Sequence, residues 1–393
     1  MEITGFHTKS IIPFYEEKID ECLAAFRPDR VVWLGFSPIA VWLYSKLDRM
    51  GITLEICDNN KKRQKMKATV RDKDGNLKEL PIKSVESCGR ADSVYLVGNI
   101  HHPEYVAQLA PFGVDPARVI NLYQGDEVLF DQFKDELIEL EKSGYKRLDL
   151  KQTQQQLLHA LRWLNGFCRD NHIKCYLSSG TLLGALRHKG FIPWDNDIDV
   201  MMPYEDYCRF MELCPKNERF RIADYRFMDS YQWQFAKLMD TETVVLHNGF
   251  ACVYSMGMNI DIFPYCGYPD DLQELEKKIN RSMELDWIWQ CGYMMYQTGV
   301  SDSRDYIETV NREKYKLSVY SSPFTRSALV WGGGVWGTRA EPYLKETEVE
   351  FEGEKCFAPS NYDEHLHNTH GEYMVLPPPE KRKTREYPSF ARI

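Results

Sequence analysis

The chain has 393 residues, enough for about two or three domains with separate cores, and its 43% apolar and 27% charged content is that of an ordinary globular protein. Its 49 Lys and Arg against 58 Asp and Glu give a formal net charge of -9, which excludes a broad nucleic-acid surface, so no nucleic acid is expected among its partners. No stretch approaches the roughly 18 to 20 apolar residues of a spanning helix, and the start lacks the basic-then-apolar order of a signal peptide, so the expected location is the cytoplasm.

From Arg30 the pattern alternates: "RVVWLGF" reads as a strand, "IAVWLYSKLDRM" as a helix, "TLEICDN" as a strand, then "SVYLVGN", a helical "PEYVAQLA" and "RVINLY". Strand and helix at this pitch predict a small parallel sheet with crossover helices, interrupted by "VRDKDGNLKELPI", whose Asp-Gly pair signals a hairpin or loop. This first unit, over 1–126, resembles a Rossmann-like domain, with Asp58 at the end of its second strand. Its glycine fingerprint is eroded: Gly35 remains, but Ser37 and Ala40 replace the other glycines and Pro38 alters the turn. That favours a docking or regulatory role over dinucleotide binding. A helical linker is expected over 127–147.

The second unit, over 148–393, opens on the amphipathic "LKQTQQQLLHALRWLNGFCRDN", followed by the strand "KCYLSSG", the helix "TLLGALRHKG" and the strand "DIDVMMP". A helix "YEDYCRFMELC", the strands "FRIADYR", "WQFAKLM" and "MNIDIF" and an aromatic helical stretch follow. The fold class is thus mixed α/β (α+β). Eleven cysteines, with no C-x-x-C pair, read as reduced core thiols.

Asp195, Asp197 and Asp199 occupy alternate positions, so a strand through them would put all three on one face and turn Asn196 away. Like charges that close need a cation, and carboxylates at i and i+2 suit a hard ion such as Mg²⁺ (or Mn²⁺) completed by substrate phosphates. Ser179, Gly180 and Thr181 lie where a strand turns into a helix, a place that offers backbone N–H groups and positive dipole to phosphate. Arg187, His188 and Lys189 follow in the same unit and are expected to screen phosphate charge. Asp261, alone in an apolar strand, would complete the site as a further metal ligand or as the base for an attacking hydroxyl.

The stretch "GTLLGALRHKGFIPWDNDIDVMMPYEDY" resembles the signature of the LicD family of phosphocholine transferases, to which fukutin and fukutin-related protein are similar. The resemblance continues through "FAKLMDTETVV", "NIDIFPY" and the C-terminal tail, roughly from Leu148 onwards. It implies a nucleotidyltransferase-type fold and transfer of phosphocholine, or a related phospho-alcohol, from a CDP-activated donor to a glycan or lipid-linked glycan. Peripheral contact with membrane-bound glycan precursors at the inner face of the membrane fits that activity.

By position it makes Asp197 and Asp199 the metal pair, Asp195 the acid before them, Gly180-Thr181 the phosphate turn and Asp261 the downstream acid. Family members often carry Asp where this chain has Asn196. Lys237, in "FAKLMD", is a candidate to neutralise the leaving phosphate, against the alternative of a surface lysine at a strand end. Trp287, Trp289, Tyr293 and Tyr296 could form a choline cage or belong to a core stripe. His365, His367 and His370 are spaced irregularly for a metal site and suit a structural or acceptor-site role. The carboxylates alone also fit a nucleotidyltransferase that leaves NMP on its acceptor, or a non-catalytic binding protein.

Overall fold

The structure, a computed structural model, describes residues 7–268 with gaps at 124, 126, 127, 129, 217, 225, 227, 229, 230, 232, 234 and 249–251. It also describes scattered positions from 271 to 285, Arg326–Leu329, and 345–392 apart from 385 and 386. Trp287, Trp289, Tyr293 and Tyr296 lie outside the described residues.

The chain begins with β1 (His7–Ser10) and α1 (Ile12–Phe26), then enters the first sheet through β2 (Arg30–Leu34). Helix α2 (Ile39–Met50) buries Ile39, Val41, Leu43 and Leu47 and stops at Gly51, which takes the left-handed conformation that a side chain would strain. Next come β3 (Thr53–Cys57) and the hairpin β4 (Lys67–Arg71) with β5 (Leu77–Lys83), which turns at Asp72–Asn76 as the Asp-Gly pair predicts. The short α3 (Val85–Cys88), β6 (Val94–Val97), α4 (His102–Leu109) and β7 (Val119–Asn121) complete this unit. The sheet order is β4-β5-β3-β2-β6-β7, parallel from β5 to β7, with the reversal of strand order falling between β2 and β6.

Helix α5 (Lys134–Lys142) leads to β8 (Tyr145–Arg147), and α6 (Leu150–Asp170) starts at a capping box in which Asp149 and Gln152 bond each other's backbone. Then follow β9 (Tyr176–Leu177), α7 (Ser179–His188), β10 (Asp199–Pro203), α8 (Tyr204–Leu213), β11 (Phe220–Ala223), β12 (Ala236–Asn248) and β13 (Cys252–Tyr268). The chain closes with β14 (Arg326–Leu329), the hairpin β15 (Glu346–Phe351) and β16 (Glu354–Pro359), α9 (Tyr362–His370) and β17 (Ser389–Arg392). The large mixed sheet runs β8-β17-β12-β13-β10-β9, with β1 and β14 added to β13 and β11 to β12.

Helix α6 lays Leu157, Leu161 and Leu164 into the core beneath this sheet, each burial worth roughly 1.5 to 3 kcal/mol. Strand β1 crosses the expected boundary at residue 126, since it pairs with β13 of the large sheet. Val31, Trp33 and Val94 share one core with Val244, Leu246, Val253 and Phe390, so the two sheets are packed together rather than strung on a linker. Cys57 and Cys88, read from sequence as thiols, are paired in the first unit, whereas Cys22, Cys168, Cys175, Cys208, Cys214 and Cys356 are free. Among the described residues no helix is long and apolar enough to cross a membrane.

Candidate functional site

The acids meet through strand register. Asp199 opens β10, and its partner on the parallel β13 is Asp261. On the other side of β13 the antiparallel β12 sets Lys237 opposite Asp261, with Lys237 Nζ 2.5 Å from Asp261 Oδ1 and 3.1 Å from Asn259 Oδ1. Lys237 is therefore buried among acids and amides, 4% exposed, and also lies 4.5 Å from the centre of the Trp233 ring. The reading as a surface lysine does not hold.

Backbone bonds fix the surroundings. Asp261 N–H donates to Ile198 O at 3.0 Å, Ser178 N–H donates to Asp199 O at 3.0 Å, and Asp199 N–H donates to Thr181 Oγ1 at 2.9 Å. The Thr181 hydroxyl thus ties the start of α7 to the start of β10. Gly180, in the first turn of α7, faces Asp195 so closely that a Cβ there would lie 3.0 Å from Asp195 Oδ2. The positive end of α7 accordingly meets a carboxylate, which its dipole favours. Ser179 holds a left-handed φ of 48° at this turn, a conformation that costs a residue with a Cβ energy and marks a tightly constrained spot.

One expectation is corrected. The strand begins at Asp199, not at Asp195: Asp195 N–H closes a turn onto Ile192 O at 2.8 Å, and Gln154 Nε2 holds the Asp195 carbonyl at 2.8 Å. Asp195 and Asp197 therefore do not share a strand face with Asp199, and Asn196 does not turn away, for Asn196 and Asp197 both line the adjoining cavity. That cavity, of about 200 Å³, extends past Lys237, Asn259 and Asp261 to His247, Asn248, Tyr254 and Tyr387.

Electrostatics confirm the crowding of the acids. Burial, followed by the charges of Asp197 and Asp261, pushes the Asp199 carboxyl well above the usual range, with Lys237 opposing and Asp195 adding to the shift. Asp261 is raised as well, by burial first, then Asp197, with Lys237 pulling the other way. Burial and the charge of Lys237 draw His247 down to about 3, which keeps its imidazole neutral. Among the described residues no three His, Cys, Asp or Glu side chains are gathered as a ready metal cage. The donors nevertheless suit Mg²⁺ or Mn²⁺: the first of these binds through one or two carboxylates and takes its remaining oxygens from water and substrate phosphates. Asp197 and Asp199 would hold the ion, with Asp261 and Asp195 beside them.

Arg187, His188 and Lys189 stand at the other end of α7, roughly 12 Å from Gly180 at 1.5 Å per residue. Arg187 donates to Tyr373 O at 2.7 Å and to His188 Nε2 at 2.9 Å, and the Lys189 carbonyl accepts from Glu352 N–H at 2.8 Å. Arg187 and the Lys189 backbone thus hold C-terminal segments against α7, with His188 bonded to Arg187, at the end of the helix away from the acids. His365, His367 and His370 lie on α9, His365 in the core.

Sequence reading missed Asn259 and Gln154. Asn259 was legible in principle, since it stands two residues before Asp261 and so shares its strand face. Gln154 carries no such mark, because its partner is 41 residues away.

An acidic recess on parallel and antiparallel strands, facing a helix N-terminus, defines this half as a nucleotidyltransferase-like α/β unit. Residues 172–289 match the family described as LicD/FKTN/FKRP, nucleotidyltransferase domain, in line with the motif resemblance. The chain is 28% identical over 257 residues to the lipopolysaccharide cholinephosphotransferase LicD of Haemophilus influenzae, covering 61% of this chain and 96% of that protein. It is also 38% identical over 147 residues to an uncharacterized protein of Rickettsia prowazekii, 36% of this chain and 51% of that one. An uncharacterized Rickettsia typhi protein is 45% identical over 56 residues, 14% and 17% of the two chains.

Proposed function

We propose that the protein is a phosphotransferase that moves phosphocholine, or a related phospho-alcohol, from a CDP-activated donor to a sugar hydroxyl of a glycan or its lipid-linked precursor. The observation that carries this reading is the register pairing of Asp199 with Asp261, beside Asp197 and against Lys237. The similarity to a lipopolysaccharide cholinephosphotransferase supports the choice of reaction.

In this reading Asp197 and Asp199 hold Mg²⁺, which when bound neutralises diphosphate charge. The N-terminal turn of α7, at Ser179–Thr181, takes a phosphate oxygen, and Lys237 balances the charge left on CMP. Asp261 receives the proton of the acceptor hydroxyl, whose oxygen bonds to the choline-bearing phosphorus as the phosphoanhydride bond breaks and CMP leaves. The reaction occurs in the cytoplasm, at the inner face of the membrane where acceptor precursors lie.

The test incubates purified protein with CDP-choline, Mg²⁺ and lipopolysaccharide and follows CMP and glycan-bound phosphocholine. Both should form, and Asp197→Asn should lower the rate at least a hundredfold. No CMP from CDP-choline, CDP-ribitol or CDP-glycerol would sink the donor assignment. Nucleotide left on the acceptor would make the protein a nucleotidyltransferase.

A further inference from the structure

The first unit lies outside the matched residues 172–289 and yet contains a second cavity, of about 620 Å³. The cavity opens at the carboxyl ends of β2 and β6, the switch point where open α/β sheets bind ligands. Its lining includes Ser37, Asp58, Asn60, Asn99 and Tyr123, together with Asn248 of β12. Asn248 also lines the catalytic cavity, so the two spaces adjoin at that residue.

The chemistry of this cavity is unsuited to a diphosphate. Four amides of the β2–α2 turn are already engaged: Gly35 N–H donates to Cys57 O, Phe36 N–H to Asp58 Oδ2, Ala40 N–H to Ser37 O and Val41 N–H to Pro38 O. Pro38 has no N–H to give. The charged groups in the lining are already engaged with one another or with a ring nitrogen, since Arg63 Nη1 lies 3.0 Å from Asp58 Oδ2 and His101 Nδ1 lies 2.5 Å from Glu104 Oε2. The remaining groups are side-chain amides, which both donate and accept, the tyrosines Tyr105 and Tyr123, the apolar Phe36 and Ile100, and the Ser37 hydroxyl, whose oxygen is buried with no hydrogen-bond partner among the described residues. In the adjoining catalytic cavity His247 Nε2 is likewise buried with no partner among the described residues. Buried polar atoms of this kind are costly unless a ligand satisfies them. An uncharged molecule rich in hydroxyls meets all of these features.

Length points the same way. Asn248 pairs with Val253, eight residues along β13 from Asp261, so roughly 26 Å of strand separates the junction from the acids at about 3.3 Å per residue. Such a track fits an oligosaccharide better than one sugar.

We infer that the cavity of the first unit binds the sugar chain of the acceptor, whose reactive end reaches Asp261 past Asn248 and His247. The first unit would then choose the glycan and the second would modify it. This rests on the transferase reading, but its test does not depend on turnover.

Calorimetric titration of the full chain with four probes decides it: the delipidated oligosaccharide of a bacterial lipopolysaccharide, maltohexaose, CDP-choline and NAD, each against wild type, Ser37→Ala and Asn60→Trp. At least one oligosaccharide should bind wild type, weaken three- to tenfold in Ser37→Ala and weaken more than tenfold in Asn60→Trp, with CDP-choline affinity unchanged and both variants melting as wild type does. Oligosaccharide affinity equal in all three proteins, or no oligosaccharide binding by wild type, would overturn the inference. So would NAD binding to wild type and failing to bind Asn60→Trp, which would make the cavity a nucleotide site. Oligosaccharide binding of the expected pattern without any CDP-choline binding would keep the cavity assignment and remove the transferase reading instead.

Discussion

Asp199 and Asp261 are direct neighbours in a parallel strand pair, two half-buried acids side by side where a β ladder would ordinarily place apolar partners. Each raises the cost of charging the other, with Lys237 opposing, so the acids cost stability in the way that residues of a binding site do. Asp199→Asn removes one of those charges. The metal-free variant should be more stable than wild type at pH 8 by about 1 kcal/mol, in the usual exchange between activity and stability. It should also lose the rise in melting temperature that Mg²⁺ or Mn²⁺ gives wild type. Thermal melting with and without metal checks both, and a variant less stable than wild type at pH 8 would contradict the account.

Lys237 is the counterweight. Its ammonium is buried against Asp261 and Asn259, and Lys237→Met would leave Asp261 uncompensated beside Asp197 and Asp199. Removing one partner of a buried ion pair costs about 3 to 5 kcal/mol, so urea unfolding at pH 8 should show a loss of that order. Adding Mg²⁺ should recover part of it, because the ion supplies positive charge to the same acids. An unchanged urea midpoint would mean that Lys237 is not the balancing charge.

Thr181 acts through position. Its hydroxyl accepts the Asp199 N–H, and Thr181→Val keeps the shape but leaves that amide without its partner. Stability should fall by about 1 to 3 kcal/mol, and kcat should fall more than donor KM rises, because Asp199 is displaced while the α7 turn remains. Paired unfolding and steady-state measurements separate this from direct phosphate binding by Thr181, which would raise donor KM instead.

Much of this was legible in the sequence. The α2 and α6 patterns carry their own stop and start signals in Gly51 and Asp149, and the alternation from Arg30 to Tyr123 matches the parallel sheet. The acids were recognisable as a group because few other roles suit carboxylates between apolar residues. What local pattern could not show was how they meet. The strand reading of Asp195–Asp199 used period two, whereas the turn at Ile192–Asp195 delays the strand and the acids converge across β10 and β13, which are about 60 residues apart in sequence. Arg187 illustrates the same limit: it is close to the first turn of α7 in sequence, but one helix length takes it to Tyr373. The association of β1 with β13 was likewise invisible, since register between distant strands has no local signal.

The α9 histidines give a pH signature remote from the acids. His365 is 3% exposed, and burial, helped by the charge of His370, draws it from 6.5 to about 4. Above pH 6.5 the imidazole is neutral in both the folded and unfolded chain, so its contribution to stability is fully present there. As pH falls from 6.5 towards 4 the unfolded chain takes up a proton that the native state refuses, and stability drops by up to about 1.4 kcal/mol per pH unit. Between pH 6.5 and 5 that amounts to about 1.6 kcal/mol. His365→Gln cannot titrate, so its urea midpoint should decline less steeply than that of wild type over this interval, whatever its stability at pH 7. Comparing the two slopes cancels the other titrating groups, and parallel slopes would show that His365 takes up its proton as readily in the folded chain as in the unfolded one.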